Sequence, residues 1–143
     1  MDPASGGLFM TPKAPELLFR GNEQAFLQRW FARMAVNSGA FPPEEIDIIA
    51  ASLRDPDALR GGFEHYRTLL QDGQVNRAWG EAGGVLNMPV LAVGGGHSVA
   101  GYLARTLQPV VPAVQEAMIA GRGHYIADEH PEALIATLAP FMV

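Results

Sequence analysis

The chain contains no cysteine, which excludes a disulfide framework and thiolate metal ligation alike. Its four histidines are scattered without a short ligand spacing, so no metal and no cofactor is expected. Charge is sparse: ten Lys and Arg against fifteen Asp and Glu leave a net charge of −5 and no basic stripe. Nucleic acid is therefore set aside as a partner, because phosphate binding needs clustered cations. No apolar run approaches the roughly 20 residues that span a bilayer, and the first fifteen residues hold neither a basic region nor an apolar core of a signal peptide. No membrane association is expected, and a cytoplasmic location is the default. What remains is a 143-residue chain, 48% hydrophobic with mean hydropathy near zero, the profile of one soluble globular domain.

Residues 1–16 hold three prolines, paired glycines and no apolar rhythm, and are expected to form a flexible leader. From Glu23, the residues Phe26, Leu27, Trp30, Phe31 and Met34 recur at helical spacing, predicting a helix that ends near Asn37-Ser38-Gly39. Pro42 and Pro43 open a second helix with Glu44 and Glu45 in its first turn, where the dipole favours them, and Ile46, Ile49 and Leu53 on its apolar side. After Asp55-Pro56 a third helix is predicted with Leu59, Phe63, Tyr66 and Leu70 on one face. It passes through Gly61-Gly62, each glycine costing about 1 kcal/mol against alanine.

Beyond Trp79 to Gly84 the pattern becomes extended. Met88 to Val93 is a short continuous apolar run ended by Gly94-Gly95-Gly96, as in a strand buried on both faces. A helix from about Ala100 to Gln108, a second extended run from Val110 to Ile119 and a last helix from Pro131 to Phe141 follow. That order predicts a parallel strand, helix, strand, helix unit. Two parallel strands have two open edges and cannot cover their own faces, so the chain is expected to need a complement. The second extended run ends at Gly121-Arg122-Gly123-His124, just before the last helix. His124 is placed there as a natural general base, since imidazole takes and returns a proton near neutral pH.

These features together resemble the α/β-hydrolase family, in its epoxide hydrolase and haloacetate dehalogenase branch. The resemblance rests on Asn22 to Phe31, Phe41-Pro42-Pro43-Glu44, Gly62 to Arg67, Met88 to Ser98 and the His124 segment, and covers the chain from about Leu17. It implies a partial α/β-hydrolase fold, with a helical cap over 17–84 followed by two parallel strand-helix units over 85–143. It implies hydrolysis of a small apolar epoxide or halogenated substrate through an aspartyl ester. In that scheme His124 activates the water that cleaves the ester, and Tyr66 of the cap donates a hydrogen bond to the epoxide oxygen or departing halide. The aspartate and the oxyanion loop of the family have no match here. A missing N-terminal half, or a second copy of the chain, is the expected partner.

Other readings stay open. Tyr66 could simply belong to the Leu59 and Phe63 face with its hydroxyl at the rim. Asp128 and Glu129 read as first-turn residues favoured by the dipole of the last helix. His65 reads as solvated, His97 as a surface-loop histidine that could instead line the pocket, His130 as a helix-start residue without chemistry, and Trp30 and Trp79 as packing anchors. Gly96-His97-Ser98-Val99-Ala100 is nearly a Gly-x-Ser-x-Gly elbow, which would make the chain a serine esterase using Ser98 and His124. A non-catalytic truncated protein, associating through its open sheet edge, is the alternative from a different class.

Overall fold

The computed structural model describes residues 3–142, with the backbone alone for residues 3–6 and 38. The chain divides into two compact units, one made of residues through Trp30 with Pro42–Ala78, the other of Phe31–Phe41 with Trp79–Val143. This division is not a single cut near residue 84, since Phe31–Phe41 is grouped with the later part of the chain. No helix among the described residues is long and apolar enough to cross a membrane.

The first unit is helical. It contains α1 (Pro3–Met10), α2 (Ala14–Phe19), most of α3 (Glu23–Met34), α4 (Pro43–Leu53) and most of α5 (Pro56–Glu81). The expectation of a flexible leader over residues 1–16 is corrected for the described part: α1 and the start of α2 occupy it, with Phe9 and Pro15 buried. The reason is non-local. Phe9 meets the rings of Phe19, Phe26, Trp30, Phe63 and Tyr66 at centroid distances of 4.9 to 6.2 Å, contacts that periodicity within sixteen residues cannot reveal. Aromatic pairs in such tilted and edge-on arrangements contribute about 0.5–1.5 kcal/mol each beyond area burial.

On α4, Ile46 and Ala50 are buried; on α5, Leu59 and Phe63 are buried. Leu70, expected on the same face as Phe63, is instead 68% exposed, so within this unit the apolar face of α5 covers only its first turns. Asp55 caps α5, its side chain accepting from the Asp57 N–H at 2.8 Å, and Pro56 opens the helix.

One ionic network in this unit is not visible as a sequence pattern. Arg67 donates one terminal nitrogen to both carboxylate oxygens of Glu16 at 2.8 Å and the other to Glu64 at 2.8 Å. Glu16 loses hydration by burial, which raises its pKa, but the bonds and charge of Arg67 outweigh this and hold the carboxyl below its ordinary value. The network fastens α2 to α5 one residue from Tyr66.

The second unit holds the sheet. β1 (Leu91–Gly95) and β2 (Gln115–Ile119) are parallel, in the register Leu91 to Gln115 through Gly95 to Ile119. The ladder begins later than Met88 because Pro89 lacks an N–H; Gln115 N donates to Val90 O at 2.9 Å, and Met88 is exposed. Between the strands runs α6 (Tyr102–Leu107); after β2 come a four-residue helix α7 (Ile126–Glu129), then α8 (Pro131–Leu138) with a 3-10 turn to Phe141. Phe31 and Phe41 stack at 4.0 Å, and Tyr125 closes edge-on against both at 5.2 and 5.0 Å.

Replacing Arg67 by Ala should destabilise the protein by somewhat less than the roughly 3–5 kcal/mol of a fully buried pair, since the Arg67 and Glu16 side chains keep 14% and 16% exposure. The urea midpoint measures this. A change below about 0.5 kcal/mol would class the contact with solvated surface pairs.

Candidate active site

Parallel α/β sheets present their ligand crevices outside the carboxyl ends of the strands. In this chain two loops leave those ends: Gly96 to Ala100 after β1, and Ala120 to Tyr125 after β2. They are bound to each other through the main chain. Gly96 N donates to Ile119 O at 3.0 Å, and His97 N donates to Arg122 O at 2.9 Å. The approach is so close that a Cβ at Gly95 would run into the carbonyl oxygens of Arg122 and Gly123.

His124 stands at the end of the second loop, with its side chain exposed. Its own N–H donates to Met34 O at 3.0 Å, so its backbone is held against the C-terminal turn of α3. Gly123 before it is buried, and a Cβ there would collide with Met34 O and with Glu129 Oε1. Ser98 Oγ, on the first loop, lies 3.4 Å from His124 Nδ1, a separation longer than a normal hydroxyl hydrogen bond of about 2.8 Å. The sheet thus brings Ser98 and His124 together. Glu116, the only acid between the two in sequence, sits exposed on β2 with a carboxylate oxygen close to Gly101.

The residue with the most bonds at this loop is Glu129. It is 5% exposed, and its carboxylate accepts four backbone N–H groups. Gly123 N reaches both oxygens at 3.0 and 3.1 Å, Tyr125 N reaches Oε1 at 3.2 Å, and Val36 N and Asn37 N reach Oε2 at 2.8 and 3.1 Å. Burial by itself would raise its pKa; the four donors more than offset this and hold the carboxyl below its ordinary value. The expectation that Glu129 is a first-turn residue serving the helix dipole is therefore corrected: it is a buried anion with specific partners. Asp128 beside it is exposed. Residue type and spacing cannot separate the two, because the donors come partly from residues 36 and 37.

Tyr66 belongs to the first unit. It is half-buried in the aromatic cluster, edge-on to Phe9 at 4.9 Å, and its hydroxyl makes no hydrogen bond among the described residues. Burial raises its pKa. His65 and His97 are exposed. His130 lies 3.3 Å from Glu132 at the start of α8. Among the described residues no group of three or more His, Asp or Glu is arranged to hold a metal ion.

No family model matches the chain. The soluble epoxide hydrolase of Corynebacterium sp. (strain C12) is 28% identical over 118 residues, 81% of this chain and 40% of that protein. Among solved structures, Cfl2 from Burkholderia cenocepacia matches with a TM-score of 0.89 at 30% identity, over 100% of this chain and 50% of its own. The Cif epoxide hydrolase from Acinetobacter nosocomialis matches at 0.90 and 20% identity, over 98% and 45%. The epoxide hydrolase CorEH matches at 0.84 and 23% identity, over 97% and 50%. The chain spans half or less of the length of these relatives.

The bonds to Glu129 carry a pH dependence of definite sign. A carboxyl whose folded pKa lies below its ordinary value of 4.5 contributes stability that is complete above that value and lost as pH falls through the lower folded one. Urea midpoints measured from pH 6 to pH 3 should fall more steeply for the wild type than for Glu129→Gln, and parallel curves would show that Glu129 contributes no such term.

Proposed function

From the premise that the chain carries part of an α/β-hydrolase fold resembling the epoxide hydrolase branch, we propose that it supplies the water-activating base of an epoxide or haloalkanoate hydrolase. The observation that supports this reading is His124, exposed at the carboxyl end of β2 while its backbone and both neighbours are bonded in place. A base has to offer an accessible nitrogen from a fixed position.

In the proposed reaction an aspartate, provided by a segment that nothing in these 143 residues matches, attacks a substrate carbon. The carbon–oxygen bond of the epoxide, or the carbon–halogen bond, breaks as the aspartyl ester forms. Tyr66 donates its proton to the epoxide oxygen, or a hydrogen bond to the halide, as charge develops there. Water then attacks the ester carbonyl while His124 takes its proton, releasing the diol or hydroxy acid and restoring the aspartate; the proton on His124 then leaves to solvent, and in the epoxide case solvent returns one to the Tyr66 phenolate. The substrate is small and apolar, and the partner is the segment bearing the aspartate. In its absence the exposed Met88, Val99, Tyr102, Met118 and Ile135 of the second unit favour self-association, the non-catalytic alternative.

The 3.4 Å approach of Ser98 to His124 favours one further reading, a serine esterase. Two features weigh against it: Nδ1, the nitrogen that usually receives the orienting acid in a triad, is the one that faces Ser98, and no acid among the described residues bonds to this imidazole.

The 143 residues alone should show no turnover above background toward epoxides, haloacetates or activated esters, because members of such a unit act together. With a segment carrying the aspartate added, turnover should appear, and His124→Ala should abolish it while the alkyl-enzyme ester accumulates in the mass spectrum. Esterase activity of the chain alone, removed by Ser98→Ala, would replace the aspartate scheme by the serine one.

In the complemented enzyme Tyr66→Phe should lower epoxide turnover tenfold or more, about 1.4 kcal/mol in barrier. Its melting temperature should stay close to the wild type, as the ring remains in the aromatic cluster. An unchanged rate would leave Tyr66 a packing residue.

A further inference from the structure

The loop after β2 has an unusual economy of anchoring. Three consecutive amides, those of Gly123, His124 and Tyr125, are all committed: the outer two to the carboxylate of Glu129 and the middle one to Met34 O. The same carboxylate takes the N–H groups of Val36 and Asn37, two and three residues beyond Met34. The segment leaving α3 and the segment carrying the histidine are therefore joined in a closed ring of bonds that passes through one side chain. With the backbone of His124 held, only its two side-chain torsions remain to place the imidazole.

We propose that Glu129 is the positioning residue of His124, a role that rests on the reading of His124 as a base and names what keeps it effective. Glu129 does not touch the reacting atoms. It acts because a carboxylate has two acceptor oxygens and no donor, which suits four N–H groups converging from two segments. An amide of the same shape has one acceptor oxygen and an NH2 group. Glu129→Gln would set that NH2 against N–H donors, and buried donors left without acceptors are driven to rearrange. The loop would then have alternative positions, and a base displaced by about 1 Å loses much of its effect. The step that suffers is the one that uses the base, water attack on the ester, and ester formation is spared.

Two measurements test this. In amide hydrogen exchange of the 143-residue chain, Glu129→Gln should accelerate Gly123, Tyr125, Val36 and Asn37 by about tenfold or more, with Val93 and Ala117 in the strands nearly unchanged. In the enzyme complemented with the aspartate segment, the same variant should lower kcat and KM together by about tenfold, leave kcat/KM nearly constant and accumulate the alkyl-enzyme ester. Glu129→Asp, which keeps both acceptor oxygens, should recover kcat above the Gln variant and serves as the second variant if Gln does not fold. A fall in kcat at constant KM without ester would reflect only less folded protein and would overturn the proposal, as would unchanged exchange at the four amides. If the complemented wild type has no turnover, the hydrolase reading fails by itself, and the exchange result still decides whether Glu129 holds the histidine loop.

Discussion

A buried carboxylate is tolerated only where donors replace the water it loses, and in the second unit Glu129 meets that condition entirely with main-chain groups. The arrangement constrains more than the acid. Gly123 has to lack a side chain for its N–H to reach the carboxylate beside Met34 O. The turn of α3 has to end where Val36 and Asn37 present their N–H groups inward, and Tyr125 then closes on the Phe31 and Phe41 stack. The same carboxylate thus ties the end of α3 to the backbone on either side of His124.

The first unit is held by a different kind of force. Its centre is an aromatic cluster around Phe9 and Phe63, non-directional in its driving force and tolerant in its geometry. The Arg67 network adds direction, fixing α2 against α5 by charge-assisted bonds. Tyr66 lies between these two influences, its ring in the cluster and its hydroxyl without a partner among the described residues.

A sheet of two parallel strands is an uncommon unit to find alone, because its edges present unpaired N–H and C=O groups. Similarity to relatives about twice as long gives this a physical context: the chain carries a histidine loop and a tyrosine-bearing helical unit, and the aspartate of the proposed chemistry is matched by neither. The two strands place their carboxyl-end loops side by side, so the histidine position is set by local bonds within these residues.

Elements whose cause is local can be read from the order of residues. Helical spacing marked α3, α4 and the first turns of α5, prolines marked the starts of α4 and α5, and the apolar run marked the first part of β1, which continues through Gly94 and Gly95; the parallel order followed from the alternation. The place of His124 between a strand and a helix, after Gly121 and Gly123, could be read the same way. The remaining features depend on contacts between distant segments. The helices before residue 16 form because Phe9 finds rings up to 57 residues away, Ser98 nears His124 because two loops bond across the sheet, and Glu129 differs from Asp128 because its partners include residues 36 and 37. A buried charge is defined by the donors around it, and donors brought from distant segments leave no trace in the spacing of the chain.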